Sequence, residues 1–230
     1  VAALITDLID KLDTFEMIRD QVAAILAVES VEQVRLAEAA NKARPEDWEM
    51  RVFVERSDPW DVFVSGEDES TVDATPIVNV WFDNSTVDLS KSDLIERQNH
   101  NGVVNIDCYG YGLAKQEASG HLSSDEAAAM EAQRAVRLAR NILMAGHYTY
   151  LGFPRGANQL VANRYPQSIT MFQPQLDNRT IQNVQAARLA LLVNYNEYSP
   201  QVQGQPLELI STQVLRSVTG QVLLAADFDH

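Results

Sequence analysis

Residues 187–199 read ARLALLVNYNEYS, and their alternation is the strongest constraint on what this chain can fold into. Leu189, Leu191, Val193 and Tyr195 fall on one side of an extended backbone, and Arg188, Ala190, Leu192 and Asn194 on the other. A strand of this kind must lay its apolar side against a covering layer. GVVNIDCYGYG at 102–112 repeats the pattern, with Val104, Ile106 and Cys108 opposed to Asn105, Asp107 and Tyr109; its glycines mark a strand end or bulge. WEMRVFVERS at 48–57 alternates Met50, Val52 and Val54 against Arg51, Phe53 and Glu55. TPIVNVWFDN at 75–84 is almost continuously apolar, which predicts a central strand.

The covering layer is legible as helices. Residues 2–28 place Leu4, Leu8, Leu12, Phe15, Ile18, Val22 and Ile25 at spacings of three and four. SVEQ at 30–33 has the form of a capping box, so a second helix is expected from Ser30 to about Ala43, before Pro45. SSDEAAAMEAQRAVRLARNILMAG at 123–146 predicts the clearest helix, capped by Ser123 with Glu126 and closed by an αL Gly146. Val136, Ala139, Ile142 and Leu143 form its buried side, and Arg134, Arg137 and Arg140 a basic line along another. His147 is expected to cap the last carbonyls. After a connector at 147–167, strands are expected at 168–174 and 187–199. The leucine content of LELISTQVLRSVTGQVLLAADFD allows a helix, but Thr219-Gly220 favours a hairpin or two short strands there. The expected fold is therefore α+β: one domain spanning 1–230, with a mixed, mainly antiparallel sheet. It comprises N-terminal helices (1–44), strands (48–112), a central helix (123–146) and further strands (168–230).

Charge narrows the function. The formal net charge is −14, and residues 1–107 hold 23 acids against 9 bases, whereas 108–230 are balanced at 9 and 9. Binding to nucleic acid through phosphates needs clustered Lys and Arg, which this distribution does not offer. The densest acidic cluster, Glu67, Asp68 and Glu69, lies in the polar loop SGEDES. No apolar run approaches the roughly 18–20 residues of a membrane span, and the acid-containing opening is not expected to be a signal peptide. The single cysteine, Cys108, cannot form an internal disulfide; it reads as a small buried hydrophobe, and the chain suits a reducing compartment.

Catalytic motifs are absent. The sequence holds no G-x-S-x-G, Walker loop, H-E-x-x-H, C-x-x-C or G-x-G-x-x-G. His100, His121, His147 and His230 stand singly, so no metal or cofactor site is expected. An enzyme would have to gather groups such as Asp83, Asp107 and His100 into one concave pocket.

Taken in order, LITDLIDKLDTFEMIRDQVAAIL (4–26), RVFVERSDPWD (51–61), TPIVNVWFDNSTVD (75–88) and ARLALLVNYNEYS (187–199) resemble the tail terminator, or tail completion, proteins of tailed bacteriophages. The resemblance implies a structural virion protein rather than an enzyme, assembled in the host cytoplasm and without cofactors. It implies a hexameric ring that caps the tail tube, ends its polymerisation and docks the head connector, while DNA passes through unbound. Arg134, Arg137 and Arg140 are then candidates for a subunit interface. Glu67, Asp68 and Glu69 are candidates for the pore or docking rim, where acids would repel the duplex and keep it sliding. A neighbouring neck position, such as a head–tail adaptor, is the alternative.

Overall fold

The computed structural model describes residues 12–64, 73–93, 96–117, 120–156, 158–176, 179–180, 183–199, 212–215 and 222–226. The frame is a five-stranded sheet. Its strands are β1 (Arg51–Val54), β2 (Ile77–Val87), β3 (Arg97–Tyr111), β6 (Val161–Phe172) and β9 (Val184–Tyr198), in the spatial order β1-β2-β3-β9-β6. Only β1 and β2 run parallel; every other neighbour is antiparallel. Small two-stranded pairs lie outside it: β4 (Lys115–Glu117) with β5 (Gly120–Leu122), β7 (Gln175–Leu176) with β8 (Arg179–Thr180), and the C-terminal β10 (Thr212–Leu215) with β11 (Val222–Ala226). That last pair is antiparallel, and Thr219-Gly220 between its strands lies outside the described residues.

Two helices, α1 (Thr14–Ala39) and α3 (Ser124–Met144), cover one face of the sheet. Val78, Val80, Val104, Ile106, Cys108, Leu189, Leu191 and Val193 meet Ile18, Val22 and Leu26 of α1 and Ala132, Ala139 and Leu143 of α3 in one core. The alternation read from 102–112 and 187–199 is the alternation observed. Each fully buried Leu, Ile or Val stabilises the fold by roughly 1.5–3 kcal/mol relative to exposure. On the opposite face, the short helix α2 (Asp61–Val64) lays Phe63 on Ile77, Tyr109, Tyr111, Val184 and Ala186. Among the described residues, no helix is long and apolar enough to cross a membrane.

The glycines ending the β3 segment serve helix contact rather than a bulge. A Cβ on Gly110 would stand 2.4 Å from both Ala128 O and Ala132 N, so α3 packs directly on the strand backbone.

Three terminus signals resolve differently from expectation. From Thr14 to Ala39 the chain is one unbroken helix, where a break was expected at Ser30; the part of the expected helix over residues 2–11, with Leu4 and Leu8, lies outside the described residues. Ser30 is buried, and its hydroxyl donates to Trp48 O and accepts from Met50 N, tying mid-helix to the entry of β1. The actual start is at Asp13, whose N–H is accepted by the Glu16 carboxylate at 3.1 Å. At α3, Ser123 occupies the N-cap position, but its hydroxyl donates to Asp125 instead of forming a box with Glu126. At the other end Gly146 is not αL and His147 is exposed; Arg164 from β6 takes the Leu143 and Ala145 carbonyls instead. A tertiary guanidinium has displaced the local cap.

Candidate functional site

The uncovered side of the sheet carries the most developed site. Asn79 of β2, Asp107 of β3 and Arg188 of β9 are register partners, so the pleat sets them in one lateral row on the face away from α1 and α3. Asp107 is almost fully buried, and its carboxylate is met by a fork from Arg188: Nε donates to Oδ1 at 2.7 Å and Nη2 to Oδ2 at 2.8 Å. Trp81 Nε1 donates to Oδ2 at 3.0 Å, and the Tyr109 hydroxyl to the same oxygen at 3.5 Å. The Arg188 guanidinium sits between two rings, 4.8 Å from the Trp81 centroid and 5.1 Å from that of Phe172. Its hydrogen bonds to Asp107 raise its own pKa. Burial, reinforced by the Asp107 charge, pushes the Tyr109 phenol well above its ordinary range, so it remains a neutral donor.

One wall of this row is fixed by backbone geometry. Glu55 turns the chain with a φ of 51°, and the next residue is clasped by Asn79, which accepts from Arg56 N at 3.1 Å and donates to Arg56 O at 2.9 Å. Arg56 then reaches Asp61 with Nη2 at 2.8 Å from both carboxylate oxygens. Trp60 closes the wall, its ring 5.3 Å from that of Tyr109. Glu55, Arg56, Trp60, Asp107, Tyr109 and Arg188 line an open cleft of about 340 Å³. The Trp60 indole N–H is itself shut off from solvent and, among the described residues, has no hydrogen-bond partner, a state that costs roughly 1–3 kcal/mol.

The arrangement does not gather the trio an enzyme reading would need. Asp107 and His100 lie on the same uninterrupted strand at odd and even positions, so they face opposite sides of the sheet. His100 stacks on Tyr195, 5.2 Å between ring centroids, and its Nδ1 lies 3.0 Å from Ser85 Oγ. Asp83 is the exposed extra residue at the β2 bulge. Cys108 is buried, and desolvation pushes its thiol up, away from the thiolate a nucleophile requires. Among the described residues, no three His, Cys, Asp or Glu side chains are grouped so as to hold a metal.

The basic line on α3 divides. Arg134 folds back into the subunit, pairing with Asp47 at 2.9 Å and with Glu131. Arg137 and Arg140 are exposed and, among the described residues, have no ionic partner. Met130 and Met144 are exposed on the same helix, at spacings that continue their face. Glu67, Asp68 and Glu69 lie outside the described residues.

Sequence reading had not singled out Trp60, Asn79 or Arg188 as site residues. The one signal for them was an Asn in the otherwise apolar IVNVW run, where a polar side chain on a central strand demands partners. No protein-family model matches this chain, and neither does any curated protein sequence.

Proposed function

We propose that this chain is a structural, ring-forming virion protein of the tail-terminator type, which closes the end of a bacteriophage tail tube and presents a docking surface to the head. The observation that carries the reading is the uneven distribution of charge along the sequence, taken with two exposed arginines on α3. The first 107 residues hold the whole −14 excess, while Arg137 and Arg140 are exposed on α3 in the balanced second half and, among the described residues, have no ionic partner. An acidic patch on one copy and a basic patch on the next make a heterologous contact, which closes into a ring when the rotation between copies allows. An acidic lumen would give a duplex no cationic site to hold it, and the screening length of roughly 8 Å in physiological salt leaves the repulsion effective in a narrow pore. The order of elements, with helices backing a mainly antiparallel sheet, agrees with the terminator resemblance drawn from the sequence.

The test is assembly on the tail. Particles completed with this protein should show a six-fold ring at the tube end in negative-stain images, and a ring of another symmetry overturns the reading. Arg137→Glu together with Arg140→Glu should keep the fold, since both side chains are exposed, and should abolish tail completion. Normal completion by that variant removes α3 from the interface.

A further inference from the structure

We propose that β6 pairs with β6 of a second copy of this chain, antiparallel and about a two-fold axis at Thr170. The inference goes beyond the ring reading and does not depend on it.

β6 is an end strand of the sheet, and among the described residues no strand pairs with its outer edge. Its second half is bare on both faces. Over 168–172 it runs beside β9 in unbroken register, with Ile169 and Met171 opposite Leu189 and Ala187. Those two side chains therefore point to the face that carries the main core. They are nevertheless 47% and 42% exposed, because α3 packs chiefly on β3 and β9. Thr170, on the other face with Arg188, is exposed as well. A partner docked on one face would leave the other bare. A strand added at the edge covers both, since its side chains alternate between the faces. What the edge accepts is a strand.

The sequence identifies that strand. Residues 166–174 read PQSITMFQP, which runs nearly alike from either end about Thr170. Pro166 matches Pro174, Gln167 matches Gln173, and apolar Ile169 matches apolar Met171; Ser168 and Phe172 differ, small against large. An isologous contact needs a surface complementary to itself under a two-fold. An antiparallel pair centred on Thr170 sets each Ile169 opposite Met171 of the other copy, a favourable cross-strand pair, and each Ser168 opposite Phe172, where the small side chain leaves room for the ring. The prolines have no N–H to give a ladder, so they bound the pairing at 167–173. No charged residue falls within 165–174, whereas edges that stay single are commonly guarded by lysine. The sheet's other end strand, β1, offers four residues, too few to cover this stretch.

The experiment combines self-association with register. Seven residues a side, 167–173, are fewer than the roughly 20–30 of a standard interface, so the dimer should be weak, with a dissociation constant on the order of 10–100 μM. Sedimentation equilibrium should show monomer and dimer in exchange. Ile169→Lys with Met171→Lys sets like charges opposite each other and should weaken the dimer roughly tenfold; both side chains are exposed, so the urea midpoint should stay unchanged. Under mild oxidation Thr170→Cys should cross-link to itself, since directly paired residues lie within disulfide reach. Ser168→Cys should not, and Ile169→Cys mixed with Met171→Cys should cross-link faster than either alone. A wild-type chain that is monomeric at every concentration overturns the inference. So does the double lysine variant associating at wild-type strength, or Ser168→Cys cross-linking as fast as Thr170→Cys. The ring reading fails separately: a Thr170-centred dimer without six-fold particles sinks the ring and keeps this contact, whereas six-fold rings from a chain whose Thr170→Cys variant does not cross-link do the reverse.

Discussion

Asp107 is a buried anion whose position depends on one neighbour. Its side chain is 4% exposed, and that of Arg188, its ionic partner, is 37% exposed. Stranding a carboxylate in a closed interior costs about 3–5 kcal/mol. Because water can approach where the guanidinium stood, we expect Arg188→Ala to cost about 2–3 kcal/mol, below that range, as measured by urea denaturation. No loss beyond a few tenths would show that Asp107 finds other partners. Ser30 offers a second residue-scale test. Ser30→Ala leaves the buried Met50 N–H unmet, for an expected loss of about 1–2 kcal/mol. The same residue shows where sequence reading reaches its limit. SVEQ is a valid local cap, but a hydroxyl within reach of another segment's orphan backbone groups is worth more there, and the local pattern carries no trace of that segment. Asn79 is the converse case: its misfit in an apolar strand was visible, but its partner, the backbone of Arg56, could be known only once β1 and β2 were paired.

Elements were legible where periodicity alone decides them. α3 and the alternating faces of β3 and β9 follow from side-chain spacing, because one buried face fixes register and pitch together, whereas β2 shows as a nearly continuous apolar run. Their ends were less legible, since ends are settled by whichever donor arrives in three dimensions. Arg164 is the clearest case. Its guanidinium takes the last carbonyls of α3 and, among the described residues, has no ionic partner, and burial lowers its pKa. Arg164→Ala should fray that helix end and cost about 2 kcal/mol in chemical denaturation, whereas His147→Ala should change little. Tyr148 makes a related tie, donating its hydroxyl to Glu29 of α1. Burial first, and the hydrogen bond to Glu29 next, raise this phenol from 10.0 to about 12. The folded state thus favours the neutral phenol, so its contribution is complete below pH 10 and is lost as pH rises towards 12. Tyr148→Phe should flatten that part of the alkaline stability profile, read from urea midpoints. An unchanged slope would place the alkaline loss elsewhere.

At the scale of the whole molecule, the fold class was accessible from sequence, but the open-face cleft was not. Its walls come from the segment between β1 and α2 and from β2, β3, β6 and β9, and no single stretch holds more than a few of them. The acidic loop belongs to this scale too. If Glu67, Asp68 and Glu69 line the pore, changing all three to Lys should trap DNA in transit while tails still complete; if they form the rim, heads should fail to join. Wild-type infectious yield from that triple variant would remove both roles. One feature of the sheet bears on how the protein is made. β9 lies between β3 and β6, and all fifteen residues of β3 pair with β9 in unbroken register from Arg97–Tyr198 to Tyr111–Val184. On the ribosome, therefore, the strands and helices made first wait with their apolar faces uncovered until the strand that joins them has emerged. Such long-range pairing slows folding and lengthens exposure to aggregation. A nascent chain stalled before residue 184 should remain protease-sensitive and chaperone-bound, and one released beyond 199 should acquire protection in a single step.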